Sequence, residues 1–343
     1  MSRPRITIVG TGLIGTSVGL GLAARPDRNY EIVGVDREQR HLRDAKKAGA
    51  IDRIAGSLEE AFDAAGLVII AVPVQAARHV LQEGGRYFAD GAVVTDTCST
   101  KSDILRWAAE HLPDHVQFVG GHPMAGKEKS GPGAAAGDLF RGATWAITPS
   151  PRADESAVST VLGMVESLGA NPLYIDPAEH DTYVAAVSHL PILVSVGLFR
   201  MIRDSRGWED ASLLAGPGFR DVTRLASGEP TMSRDIMATN RDAVLHWLDR
   251  FQEELSLIRH AIVEGGDAVG DLFKSTALDR DTFILNPPQR RMPDGPAAPS
   301  AQDQIGQLLG GGAYWKLKEM SDRLGKTDDD GSERRRQMAA RDD

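Results

Sequence analysis

The sequence predicts an α/β protein: an N-terminal Rossmann-type doubly wound sheet followed by an all-α C-terminal domain for substrate binding and dimerisation. Three observations predict it. Short β-branched runs alternate with helical segments over residues 1–176. The first of these connections is a glycine-rich hexapeptide. The alternation stops near Asp176, and from there the apolar spacing is helical.

Arg5–Val9 is short and β-branched, as a buried parallel strand should be, and Gly10 ends it. A helix rich in Gly, Ala and Leu is expected over Leu13–Ala24, a strand over Glu31–Val35 and a charged helix over Glu38–Ala48. Further strands are expected at Leu67–Val72, ended by Pro73, and at Ala92–Thr95, Val116–Gly120, Thr144–Thr148 and Pro172–Ile175. Helices are expected from about Lys101 and over Asp154–Leu168. Residues 177–288 form the second domain. Its first stretch, 177–205, is apolar at helical spacing through Leu190, Leu193, Val194, Leu198 and Met201. Helices follow at Trp208–Leu214, Gly218–Ser227, Pro230–Thr239 and Arg241–Gly265. So much apolar surface suits burial against a second copy, so a homodimer through this domain is expected. Residues 289–343 read as a Pro/Gly-rich linker and a mostly disordered charged tail, with an interrupted amphipathic segment at Ile305–Leu324.

Composition narrows the function. Hydrophobic residues are 41% and charged residues 25% of the 343, an ordinary globular balance. The formal net charge of −9 does not suit a general nucleic-acid binder. The single cysteine, Cys98, excludes an intramolecular disulfide and a cysteine metal cluster, which fits a reducing cytoplasm. The N-terminal apolar run lacks the length and flanks of a signal peptide. No stretch of 18 or more apolar residues is evident, so no membrane span is expected.

Gly10-Thr11-Gly12-Leu13-Ile14-Gly15 is G-x-G-x-x-G, placed directly after a strand and before a helix. The first glycine permits the turn, the second admits a pyrophosphate and the third lets helix and strand pack closely. The helix amides after Leu13 and Ile14 then face the anion. Asp36, at the end of the second strand, has the spacing of the acid that accepts from an adenosine ribose. Its charge repels a 2′-phosphate and favours NAD over NADP; neighbouring Arg37 points the other way. Val72 and Pro73 are expected beside the nicotinamide path.

Four polar segments gather where a sheet edge meets the second domain: 96–101 with Ser99, 120–126 with His122, 188–191 with His189, and 218–224 with Arg220 and Arg224. Taken singly, each also has a plain structural explanation: a helix cap, a satisfied core histidine or a solvated helix face. Together they supply two histidines, a hydroxyl and two guanidiniums, a set suited to oxidising a hydroxyl on a carboxylated substrate.

In combination, Gly-Gly-His-Pro-Met-Ala-Gly (120–126), Ser-His-Leu-Pro (188–191) and Gly-Phe-Arg-Asp-x-Thr-Arg (218–224) resemble the prephenate/arogenate dehydrogenase family of tyrosine biosynthesis, over about Arg5 to Phe273. The resemblance implies that His122 contacts the ring hydroxyl and promotes its deprotonation, supported by Ser99. It implies that Arg224 holds the ring carboxylate, with His189 and Arg220 around the substrate. Glu128 and Asp221 would join an ionic network at the pocket mouth. Hydride would pass from C4 to NAD, carbon dioxide would leave from C1 and the ring would become aromatic, with no metal required. An imidazole base predicts a loss of activity on the acid side as His122 protonates.

The chain departs from the family at three places: Arg220 replaces a frequent lysine, Lys127 a small residue, and Ser233 a tryptophan near the substrate side chain. These leave prephenate, arogenate and a prephenate-like precursor of secondary metabolism open. The residues after Pro288 look too short and polar for the regulatory ACT domain of many relatives. A β-hydroxyacid-type dehydrogenase shares the layout, but would need a lysine on the 183–201 helix, where none occurs. An NAD-sensing protein would need no such grouping of His122, Ser99 and Arg224.

Overall fold

A computed structural model of the chain describes residues 3–127 and 129–287. Its strands are β1 (Arg5–Val9), β2 (Glu31–Val35), β3 (Arg53–Ile54), β4 (Ala65–Ile70), β5 (Val93–Asp96), β6 (Gln117–Pro123), β7 (Thr144–Pro149) and β8 (Asn171–Tyr174). They form one sheet in the order β3-β2-β1-β4-β5-β6-β7-β8. Every neighbouring pair is parallel except β6 and β7, with His122 opposite Ala146. That exception has a local cause. Among the described residues between β6 and β7 the chain makes only a 3₁₀ turn at Pro132–Ala134, and a parallel return needs a long crossover, usually helical.

The sheet is sandwiched by α1 (Leu13–Ala23), α2 (Gln39–Lys47) and α6 (Glu155–Ser167) on one face and by α3 (Leu58–Phe62), α4 (Val74–Gly84) and α5 (Ser102–His111) on the other. The period of two along β4 sorts its residues between the layers: Leu67 and Ile69 pack with Val18, Leu22 and Val161, whereas Val68 and Ile70 pack with Phe62, Leu81 and Ile104. The strand expected at Leu67–Val72 sits two residues earlier, so Val72 and Pro73 lie beyond its end and Pro73 precedes α4. The strand expected at Val116–Gly120 runs on to Pro123, which places His122 inside β6 rather than in the loop after it.

The helices that follow are α7 (Pro177–Val184), α8 (Leu190–Arg203), α9 (Trp208–Leu213), α10 (Pro217–Thr223), α11 (Pro230–Thr239), α12 (Arg241–Glu264) and α13 (Asp267–Leu285). The expected helix at 218–227 ends as a 3₁₀ turn, Arg224–Ser227. A π turn at Ala185–His189 joins α7 to α8. Pro191, in the first turn of α8, has no N–H to donate back, and the turn before it widens.

This corrects one expectation. Pro177–Arg203 is a continuous helical stretch of 27 residues whose most apolar window has a mean hydropathy of 1.7, long and apolar enough by composition to cross a membrane. Its residues do not behave as one apolar rod. His180, Asp181, His189 and Ser195 are buried, and Ser195 Oγ donates to Val222 O at 2.6 Å, docking α8 on α10. Val187 and Met201 are exposed, as are Leu213 and Leu214 of the neighbouring α9 segment. The expected linker and tail at 289–343 lie outside the described residues.

Candidate active site

The glycine loop is built as its spacing requires. Gly10 has φ +90°, and a Cβ there would meet Ala71 O and Val72 Cγ1 at 2.5 Å each. A Cβ on Gly15 would lie 1.9 Å from Gly10 O, so that glycine lets α1 seat against the loop. Gly12 differs: a Cβ there would meet nothing within 4 Å. The loop is therefore open at the residue that precedes Leu13 and Ile14, and α1 begins with no side-chain cap and no acid in its first turn. A pyrophosphate fits such an uncapped helix start. Asp36 closes the other side. Its Oδ2 accepts from Thr11 N at 2.7 Å and Oδ1 from Glu38 N at 2.8 Å, so the carboxylate is held beside the loop. Arg37 is exposed. Val72 is half-buried and touches the loop through Gly10, while Pro73 is exposed at the start of α4.

The second half of the site is a histidine network. His122 Nδ1 lies 2.9 Å from His180 Nε2, and His180 Nδ1 lies 2.9 Å from Asp181 Oδ1. Asp181 also accepts from Lys101 N at 2.7 Å and Ser102 N at 2.8 Å, the first amides of α5. Burial alone would raise the Asp181 carboxyl; the His180 bond and these amides outweigh it and hold the carboxyl below its ordinary range. An ionised Asp181 can only accept, so His180 carries a proton at Nδ1. Where His180 accepts at Nε2, His122 donates from Nδ1. This order leaves the His122 Nε2 lone pair available to a ligand. Burial, reinforced by His180, Lys101 and His189, pushes His122 well below an ordinary imidazole, so it is neutral at neutral pH.

The backbone before His122 is clamped by a buried ion pair. Lys101 Nζ bonds Asp96 Oδ2 and donates to Gly121 O at 2.7 Å, while Asp96 Oδ1 accepts from Gly121 N at 3.1 Å. Both charged side chains are fully buried. Gly121 is required because a Cβ there would sit 2.6 Å from Asp96 O.

His189 ends the π turn, 1% exposed, and burial pushes its imidazole down to about 4. It belongs to the same electrostatic cluster as His122, His180 and Asp181. Ser99 sits half-buried in the β5–α5 loop, between Cys98, whose N–H bonds Asp96, and Thr100, whose hydroxyl lies 2.9 Å from that of Thr239. Arg220, Asp221 and Arg224 are exposed on α10 and its terminal turn, a segment that packs on α8. Lys127 donates to Ala134 O at 2.9 Å, and Ser233 to Glu229 O at 3.2 Å within α11. Glu128 lies outside the described residues. Among the described residues no group of three or more His, Cys, Asp or Glu is placed to hold a metal ion.

Sequence reasoning missed His180, Asp181, Asn240 and the Asp96–Lys101 pair. The available signal was the His-Asp dipeptide just after the Asp176-Pro177 helix start, facing a sheet edge already marked by His122.

A glycine loop open at a helix start, with a buried neutral imidazole on another strand of the same sheet, defines a nucleotide-dependent dehydrogenase. Residues 20–174 match the nucleotide-binding domain of prephenate dehydrogenase, and residues 176–275 match its dimerization domain. The chain belongs to the prephenate dehydrogenase family. It is 36% identical to the prephenate dehydrogenase of Bacillus subtilis over 82% of this chain and 77% of that protein. It is 31% identical to the cyclohexadienyl dehydrogenase of Zymomonas mobilis over 80% of this chain and 94% of that protein. The prephenate dehydrogenase of A. aeolicus, solved with hydroxyphenyl propionate and NAD+, superimposes with a TM-score of 0.76 at 29% identity, covering 82% of this chain and 99% of that one.

Proposed function

We propose that this chain converts prephenate to 4-hydroxyphenylpyruvate by oxidative decarboxylation with NAD. The observation that carries the reading is the ordered chain from Asp181 through His180 to His122, which leaves an accepting nitrogen on β6, in the same sheet whose β1 leads into the glycine loop. The family membership and the A. aeolicus complex support the substrate and cofactor.

NAD, when bound, supplies the hydride acceptor. Gly12 and the amides of Leu13 and Ile14 hold its pyrophosphate, Asp36 its adenosine ribose, and Val72 and Pro73 line its path. His122 Nε2 takes the ring hydroxyl proton, and the charge that forms is shared toward His180 and Asp181. Ser99 supports the same hydroxyl. Arg224 orients the ring carboxylate by a bidentate pair, with Arg220 and His189 around the substrate and Asp221 with Glu128 at the mouth. Loss of carbon dioxide aromatises the ring, so no metal electron sink is needed.

The match to a dimerization domain and the exposed apolar residues of the helical half support a homodimer, and the acidic charge supports a small-molecule substrate rather than nucleic acid. The family's biosynthetic role supports a cytoplasmic setting. The deciding experiment measures NADH or NADPH formation with NAD and NADP against prephenate and arogenate in parallel. Turnover of prephenate with NAD is expected. A preference for arogenate would move the assignment to arogenate dehydrogenase, a reading that Ser233 leaves open. Binding of NAD without turnover of either acid would overturn both.

A further inference from the structure

Asn240 stands at the break between α11 and α12, 6% exposed, with its backbone held from both sides: its N–H bonds Ile236 O at 2.9 Å and its carbonyl accepts from Val244 N at 3.0 Å. The platform is latched to the sheet. Asp235 Oδ2 accepts from Gln75 N at 3.1 Å, at the start of α4, and the Thr239 hydroxyl lies 2.9 Å from that of Thr100.

The Asn240 side chain makes two contacts through the same nitrogen. Nδ2 donates to Asp181 O at 2.7 Å and lies 3.2 Å from His189 Nδ1. A main-chain carbonyl can only accept, so the first contact settles which end of the amide is nitrogen. The second N–H of that nitrogen then meets His189 Nδ1, which must accept. A neutral imidazole has one N–H, and with Nδ1 accepting it lies at Nε2. His189 Nε2 is buried with no hydrogen-bond partner among the described residues. Buried donors are nearly always satisfied, so this one has a partner still to be supplied.

We propose that Asn240 is a positioning residue that fixes His189 in its Nε2–H tautomer and so presents a buried donor to an acceptor oxygen of the bound substrate. The proposal rests on the placement of His189 beside the substrate. Through Asp181 it also joins the two histidines: the side chain of that residue orders His180 and His122, and its main-chain carbonyl orders Asn240 and His189. Asp181 thus sets one ring to accept and the other to donate.

The test is the ring 15N spectrum of the full-length, 15N-histidine-labelled protein at neutral pH, with His189→Gln used only to assign the signal. The protonated-Nε2 pattern is expected for His189 in the wild type. In Asn240→Asp, an acceptor replaces the donor and the pattern should reverse to Nδ1–H. The same variant should raise KM for the cyclohexadienyl acid about tenfold while kcat changes less. A wild-type ring protonated at Nδ1 overturns the proposal even if the variant does not fold. So does a folded Asn240→Asp protein with an unchanged tautomer. Neither spectrum depends on turnover, so failure here is distinguishable from failure of the substrate assignment.

Discussion

His180 Nε2 lies 2.9 Å from His122 Nδ1, and the two rings meet edge to face at 71°. That contact bears on the protonation of the proposed base, His122. With the Asp181 carboxylate fixing the proton at His180 Nδ1, His180 can accept from His122 and leaves His122 Nε2 bare. In His180→Gln the amide can donate to His122 Nδ1 and move its proton to the wrong nitrogen. A fall in kcat on the order of 10- to 100-fold is expected, with KM changed much less. An equal kcat in the variant would remove His180 from the relay.

The pH profile should carry the mark of the buried rings. An ordinary imidazole base would give an acid limb near 6.5. Burial holds His122 well below that, so kcat/KM is expected to stay level from pH 8 to 6.5 and to fall only at more acid pH. A limb at or above 6.5 in kcat/KM would mean that the free enzyme's base is not this buried ring.

Stability should follow the same sign. His189 has a folded-state pKa of about 4 against 6.5 unfolded, so the unfolded chain binds the proton first as pH falls. The stabilisation is complete above about 6.5 and is lost progressively toward 4, on the order of 3 kcal/mol for this group. Denaturant midpoints at pH 7 and pH 5 measure it. In His189→Gln the drop between the two should shrink.

Gly12 and Gly15 predict opposite outcomes for the same substitution. Gly15→Ala places a Cβ 1.9 Å from Gly10 O and should destabilise the fold. Gly12→Ala meets no protein atom within 4 Å and has an ordinary φ of −72°, so its Tm should match the wild type. Its methyl group would enter the space proposed for the pyrophosphate, and KM for NAD should rise at least tenfold. A normal NAD affinity in Gly12→Ala would displace the cofactor from this loop.

Arg224→Ala should raise KM for the acid substrate strongly and leave cofactor binding unchanged, since a bidentate guanidinium–carboxylate pair has no substitute in alanine. An unchanged KM removes its assigned role. Light scattering at micromolar concentration should give twice the protomer mass; a monomer would leave the exposed Val187, Met201, Leu213 and Leu214 without their expected cover.

The sheet was largely legible because β-branched runs and the glycine hexapeptide are local signals: β1, β2 and β5 fall within a residue or so of their expected bounds. The two-residue β3 and the five-residue α3 are too short to leave a periodicity, and α13 carries no clear amphipathic stripe. His122 and His189 stood out by the residues around them. His180, Asp181 and Asn240 did not, because their role is a set of distances between helices that sequence spacing cannot express. The antiparallel β7 was hidden for a related reason: strand direction depends on what the connection lacks, not on the strand's own residues.

The π turn at Ala185–His189 carries one more residue per turn than the helices on either side. It acts as a phase shifter. Each residue of an α-helix turns the chain by about 100°, so the extra one sets the azimuth of everything that follows. Winding the same residues as a straight α-helix instead would turn α8 about 100° further round, a little over a quarter of a revolution, and carry it away from His180. The two ordered rings, and the apolar face that α8 shows to solvent, share that one added residue as their common angular reference.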